Sequence, residues 1–168
     1  MSPIHHVGLG VPDLHAALEN ALAAFGAGPF FVVEHMELDE LVYDGAPARL
    51  DHSAAFGQWG PIMVELQQVY SASPPKLHDV LCPGGTTLGH VAWLTDSLEA
   101  ESARLASLGL PPLTRGGNEH VSTAWFDGRA LFGQHVELIE RSPAVLGFYE
   151  RIAGAARDWD GSDPIRPA

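Results

Sequence analysis

Residues 4–11, Ile-His-His-Val-Gly-Leu-Gly-Val, alternate weakly and are rich in branched residues and glycine, which predicts a strand. Behind it, Leu14, Ala17, Leu18, Ala21, Leu22 and Phe25 recur at i, i+3, i+4, i+7, i+8 and i+11, the apolar stripe of a helix. Asp13 is placed to cap that helix, and Gly26 and Gly28 to stop it. Phe30-Phe31-Val32-Val33 predicts a second strand. Parts of 47–57 and 61–69 predict two more, the last centred on Ile62-Met63-Val64-Glu65-Leu66-Gln67. The first half therefore reads βαβββ. Ser71-Ala72-Ser73-Pro74-Pro75 interrupts the pattern as a linker, Lys76 to Leu81 reads as a short helical turn, and 82–87 is a second joint rich in proline and glycine.

The order then repeats. A strand at 88–95 precedes a helix from Ser97 to about Leu108, capped by Asp96 or Ser97, with Glu99 and Glu101 near its positive end and Gly109 past its close. Two or three strands are expected between Val121 and Glu140, with Asp127-Gly128 as a hairpin-turn signal. A last helical stretch runs from Ala144 to about Arg157, with Leu146, Tyr149, Ile152, Ala153 and Ala156 on one face, and 159–164 reads as irregular. Either the sheet or a second copy of the chain, in a homodimer, can accept that face, and the pattern does not choose.

The halves also share residues. His90 in Gly89-His90-Val91-Ala92-Trp93 repeats His6, and Ala55-Phe56-Gly57-Gln58 leading to Val64-Glu65-Leu66 is echoed by Leu131-Phe132-Gly133-Gln134 leading to Val136-Glu137-Leu138. Residues i and i+2 of a strand share a face. Val7, Leu9, Val64, Leu66, Val91, Val136 and Leu138 suit the helix-covered side. That puts His6, Glu65, His90 and Glu137 together on the other side, with the small neighbours Gly8 and Ala92 leaving room for a ligand. A solitary histidine or glutamate in a strand is usually solvated or hydrogen-bonded, but a solvated residue has no reason to recur in register with the same flanks. Two imidazoles and two carboxylates are ligands for a divalent metal.

Composition narrows the picture. At 168 residues, with 46% hydrophobic and 18% charged residues, the chain is of ordinary globular type. A formal net charge of −12 argues against a nucleic-acid partner. Cys82 is the only cysteine, so no intrachain disulfide forms, which fits a cytoplasmic location. No secretory signal is visible at the N-terminus, and no apolar run approaches the roughly 20 residues of a membrane span.

The motifs His-His-Val-Gly-Leu-Gly-Val-Pro-Asp-Leu (5–14), Gly-Ala-Gly-Pro-Phe (26–30), Val-Glu-Leu (64–66), Gly-His-Val-Ala-Trp (89–93) and Val-Glu-Leu-Ile-Glu (136–140) resemble the vicinal oxygen chelate superfamily. The likeness is strongest to its methylmalonyl-CoA epimerase and glyoxalase I-like branch and covers about residues 4–141. It implies an α+β fold: two tandem βαβββ modules in a cupped mixed sheet, helices on the outer face, and a C-terminal helical tail. The expected divisions are one domain over 1–141, with module one about 4–70, a linker at 71–87 and module two about 88–141, then the tail at 142–168. By position, the resemblance implies His6, Glu65, His90 and Glu137 as ligands of one divalent ion (Zn, Ni, Co, Mn or Fe).

Such a quartet leaves two positions of a six-coordinate ion open, and implies an isomerase, epimerase or lyase that removes a proton beside a metal-polarised carbonyl. Glu137 is the first choice of base and Glu65 the alternative. The resembled epimerases use a further Glu outside the repeat, for which Glu37 and Glu40 lie in a suitable region. A ring-cleaving iron dioxygenase, with one carboxylate fewer, and a metal-free binding protein of the bleomycin-resistance type are the competing readings. Among neighbouring residues, His5 is expected on the helix side, His135 behind the ligands, and Gln67 as an alternative oxygen ligand. His35, His52, His78 and His120 read as surface or turn residues. Phe30, Phe31, Tyr43, Trp125 and Phe126 could line a pocket but at these spacings read as core. The substrate is a small carbonyl compound or a thioester. Only Arg49, Arg115 and Arg129 lie near the expected rim to meet an anionic one.

Overall fold

The computed structural model describes residues 3–36, 38–82 and 87–168. The first part of the chain forms β1 (His6–Gly10), α1 (Leu14–Phe25), β2 (Phe30–Met36), β3 (Glu40–Tyr43), β4 (Ala46–Pro47), β5 (Arg49–Trp59) and β6 (Ile62–Ser73). A 3₁₀ turn at Pro75–Leu77 runs into α2 (His78–Leu81). The rest forms β7 (Thr87–Thr95), α3 (Leu98–Ser107), β8 (Pro112–Gly117), β9 (Ser122–Phe126), α4 (Arg129–Phe132), β10 (His135–Glu140), α5 (Pro143–Ala156) and β11 (Ile165–Pro167). Among the described residues this is an α+β fold with five α-helices and one mixed sheet of 11 strands.

The sheet order is β11-β2-β5-β6-β1-β7-β10-β9-β8-β3-β4. Each half is the expected βαβββ unit. β1 runs parallel to β6 as β7 does to β10, and the halves meet where β1 and β7 pair antiparallel. Alternation sorts the side chains as the sequence predicts. On the outer face α1 buries Leu14 and Leu18 against Val64, Leu66 and Phe30, while α3 buries Leu98 and Leu105 against Val136, Leu138 and Phe126. The caps are the expected ones: the Asp13 carboxylate accepts from Ala16 N–H, Gly26 takes the left-handed conformation at φ 61°, and Ser97 rather than Asp96 accepts from Ala100 N–H.

The structure corrects several boundaries. Ser71–Ser73 continue β6 instead of opening a linker, because they pair with Arg49–Asp51 of β5. The third strand of the second half, β8, lies upstream of Val121. Asp127-Gly128 makes no two-residue hairpin. Gly128 sits at φ −88°, and the Asp127 carboxylate accepts from the backbone N–H and guanidinium of Arg129, starting the single turn of α4 instead. β3, β4 and β11 were not expected: β3 crosses to pair with β8 of the other half, and β11 adds to β2. The 82–87 joint falls mostly outside the described residues, as does Glu37.

α5 takes the sheet, and takes its inner face. Val145, Tyr149 and Ile152 pack with Phe31, Ala54, Phe56, Met63, Ala92, Leu94 and Ile139, all pointing away from α1 and α3. At the other end of that face, Leu77 and Val80 of the helical turn pack with Leu41 and Trp125. Ile152 is fully buried. Ile152→Ala is therefore expected to lower the unfolding free energy by roughly 2–5 kcal/mol, as truncation of a core residue does, measured by urea denaturation of the full chain. A loss within about 0.5 kcal/mol, typical of a surface site, would show that α5 is an appendage.

Candidate metal centre

Four adjacent strands, β6, β1, β7 and β10, each deliver one ionisable side chain to the inner face of the seam. Register decides where they meet. Gly8 of β1 lies opposite both Glu65 and His90, and Ala92 of β7 lies opposite both His6 and Glu137. A Cβ on Gly8 would fall 1.8 Å from His90 Cε1. The notch at Gly8 is thus filled by the His90 imidazole, and the space expected there for a ligand is taken.

All four groups are buried. His6 Nε2 stands 3.2 Å from Glu65 Oε2 and 3.6 Å from Glu137 Oε2. His90 Nε2 stands 3.2 Å and 3.3 Å from the same two oxygens, and the two Nε2 atoms are 3.4 Å apart. One ligand atom from each residue lies within 4.8 Å of all the others. Glu65 Oε2 is buried yet takes part in no well-formed hydrogen bond. Around a six-coordinate ion with bonds of about 2.1 Å, adjacent ligand atoms sit about 3.0 Å apart and opposite ones about 4.2 Å. The four atoms fit that polyhedron after a contraction of a few tenths of an ångström, and the mixed nitrogen and oxygen donors suit a borderline divalent ion.

The outer oxygens are held by the protein. Glu65 Oε1 accepts from Gln67 Nε2 at 2.8 Å. Glu137 Oε1 accepts from the Thr123 hydroxyl at 2.7 Å and from Trp125 Nε1 at 3.1 Å. Each carboxylate is thereby turned so that Oε2 points inward. Gln67 holds a carboxylate and is not itself among the gathered atoms. The Nδ1 atoms of His6 and His5 share a hydrogen bond of 3.1 Å, which fixes the His6 ring with Nε2 inward.

Charge follows from this packing. Burial alone would lower both imidazole pKa values, but the close carboxylates of Glu137 and Glu65 outweigh it, raising His6 and pushing His90 up to about 9. Burial would likewise raise the carboxyls. The two imidazoles instead hold Glu65 down at about 2 and Glu137 lower still. Without metal, this packing favours protonated imidazoles beside ionised carboxylates.

The other sequence candidates spread out. His5 precedes β1, so the alternation does not reach it. It lies tilted against the Tyr149 ring of α5, with centroids 4.2 Å apart, rather than facing α1. His135 is buried with Nδ1 unpartnered, opposite His90 on the neighbouring strand. His35 pairs with Asp51 at the surface, and His78 is exposed beside Asp79. His52, by contrast, is only 4% exposed. Together with the exposed His120 it lines a cavity of about 350 Å³ whose walls also include His6, Glu65 and Glu137. Trp125 lines this cavity too, whereas Phe30 and Phe126 face the outer core. Glu40 is exposed on β3 and is absent from the cavity wall. The supporting donors Thr123 and Trp125 carry one legible signal: β9 pairs with β10, and both residues share the parity that faces Glu137.

Two βαβββ units joined at one seam, with two histidines and two glutamates facing each other across it, define a paired-module protein with a metal-type centre. Residues 5–126, well over half of the chain, match the family described as the Glyoxalase/Bleomycin resistance protein/Dioxygenase superfamily, and the chain belongs to that family. Among solved structures it is similar to a hypothetical protein of Bacillus halodurans C-125 (17% identity, 84% of this chain and 95% of that one, TM-score 0.57). It is also similar to methylmalonyl-CoA epimerase of Mycobacterium tuberculosis (18% identity, 86% and 91%, TM-score 0.54). At these identities the likeness shows the fold. No curated protein matches the chain.

Two outcomes follow from the geometry. His90, raised from 6.5 to about 9, stabilises the metal-free protein fully below pH 6.5 and loses that share as pH rises through 9. Glu65, lowered from 4.5 to about 2, contributes above pH 4.5 and loses its share as pH falls through 2. Chelated protein should therefore weaken as pH rises from 6.5 towards 9 in urea titrations; a stability that climbs between pH 6.5 and 9 would contradict the pairing. Thr123→Val, which frees Glu137 Oε1 of one donor, is expected to weaken Zn²⁺ affinity roughly 10–100-fold in competition with a chelating dye. Unchanged affinity would mean that the hydroxyl does not orient the carboxylate.

Proposed function

We propose that this protein is a divalent-metal-dependent enzyme of the glyoxalase type, an isomerase, epimerase or lyase that removes a proton beside a carbonyl group. The observation that carries the reading is the convergence of His6, Glu65, His90 and Glu137 on one buried point at the edge of a cavity. Those four residues would hold the ion. A divalent ion held there supplies Lewis acidity, which polarises a carbonyl oxygen and makes the neighbouring C–H bond more acidic.

The chain's own residues supply the rest. Glu137 is the base. Its side chain is 11% exposed against 5% for Glu65, so it is the carboxylate more open to the cavity. Thr123 and Trp125 hold Oε1, so Oε2 would serve as ligand and, released from that role, as the atom that takes the proton. Glu65, tied to Gln67, is the alternative base and the natural site of return for a proton delivered from the other side. Apolar walls exclude water from the reacting carbon. With one cysteine, and no helix among the described residues long and apolar enough to cross a membrane, we read the site of action as the cytoplasm.

Elemental analysis of protein purified without chelators should find about one divalent ion per chain. The variants His6→Ala and His90→Ala should lose it. In deuterated buffer, the metal-loaded protein should exchange the acidic proton of a 2-oxo or thioester compound, with Glu137→Gln slower by roughly 10²–10⁴-fold. Wild type without stoichiometric metal would overturn the reading in favour of a binding protein. Oxygen uptake with a catechol and no exchange would move it to ring cleavage.

A further inference from the structure

The cavity at the centre carries information about what enters it. Its floor is formed by His6, Glu65 and Glu137. One wall comes from α5 through Val145, Phe148 and Tyr149, and the facing wall from the helical turn through Leu77 and Val80. Strands β2, β3 and β5 complete it with further aliphatic side chains, among them Val33, Leu41 and Leu50. At about 350 Å³ it lies near the lower end of the roughly 300–1,000 Å³ typical of small-molecule sites.

Among the described residues, no lysine or arginine lines it. Arg49, Arg115 and Arg129 all lie elsewhere, Arg129 in an ion pair with Asp127. Two guanidiniums come close to the α5 wall from outside. Arg151 lies over the rings of Phe31 and Phe148, and Arg166 lies over Phe31 while bonded to Asp163, yet neither reaches the cavity. Apart from the quartet's own residues, the buried polar groups that line it are neutral. His52 is buried with Nδ1 unpartnered, and burial lowers its pKa, so it is uncharged near pH 7. Gln67 also keeps a buried, unpartnered Oε1. The two carboxylates of the quartet offset the charge of a divalent ion, so a loaded centre offers no net positive charge to an anion. In a chain of net charge −12, an anionic group brought here would be desolvated without a cation to meet it.

We infer that the ligand of this cavity is an uncharged, largely apolar carbonyl compound. Its apolar body lies between α5 and the helical turn, and its oxygens point to the floor. The anionic CoA and glutathione thioesters are then excluded as preferred ligands. The inference rests on the proposed function only for the role of the floor; the walls are independent of it.

The test is a displacement titration on purified wild-type protein with N-phenyl-1-naphthylamine, an uncharged apolar probe read by energy transfer from tryptophan. Trp125 lines the cavity and serves as a donor. The probe should bind with one-to-one stoichiometry. The uncharged 1-phenyl-1,2-propanedione should displace it at concentrations at least tenfold lower than propionyl-CoA or S-hexylglutathione. Val121→Trp, which fills the cavity from its half-buried rim, should weaken probe binding at least tenfold. Leu146→Ser, on the exposed side of α5, should leave it unchanged. Propionyl-CoA competing as well as the dione, or undiminished probe binding by folded Val121→Trp, would overturn the inference. The competition on wild type decides the question even if that variant does not fold. Metal content measured on the same samples separates the two readings. Metal-free wild type that keeps this order of competitors would sink the enzyme reading alone, and metal-loaded protein that prefers the CoA ester would sink only the apolar-ligand inference.

Discussion

The pairing of β1 with β7 is the constraint on which the site depends. It sets Gly8 against His90 and Ala92 against His6, and the parallel neighbours β6 and β10 then place Glu65 and Glu137 beside them. A slip of one residue would turn every one of these side chains to the outer face. The missing Cβ at Gly8 locks the register in a second way, since the His90 ring occupies the space that any other side chain would need. Four buried ionisable groups are costly unless they are paired or bound to metal. Here they are arranged so that each charge has an opposite within 3.2–3.6 Å.

Around that seam the protein builds in two manners. The outer face is symmetric: one helix per module, each capped by a short polar side chain and each covering the same alternate positions of its strands. The inner face is not. Met63 of β6 stands where His135 stands on β10, two residues ahead of the glutamate in each case. α5 covers one end of that face, the turn at 75–81 the other, and β3 reaches across to the edge of the opposite module. The duplicated parts supply the quartet, while the parts without a counterpart shape the space in front of it.

That division explains what could be read from the chain. Strand and helix periods, together with the echo of His6 in His90 and of Glu65 in Glu137, gave the outer packing and the meeting point, because both depend on local alternation. β3, β4, β8 and β11 escaped the pattern. They are short or glycine-containing, and β3, β4 and β11 owe their order to distant partners rather than to an apolar stripe. The face of the sheet taken by α5 was equally invisible, since an amphipathic helix states that it needs a partner and not which one. His52 shows the same limit in one residue. Nothing in Asp51-His52-Ser53 marks the histidine as buried, and it is so because α5 and the helical turn roof the face it points to.

The asymmetry also bears on chemistry. A centre made only of duplicated residues would present similar surroundings on both sides of the seam, with nothing to distinguish one carboxylate from the other. Here Glu137 has two donors on Oε1 and the greater opening to the cavity, while Glu65 has one donor and lies deeper. Two carboxylates of the same intrinsic basicity are thereby given different access to a bound molecule. Access and orientation, more than charge, decide which of them can act on a carbon held against the apolar walls. The proposed proton transfer needs that inequality, and Thr123 and Trp125 of β9 provide it where β5 carries Ala54 and Phe56.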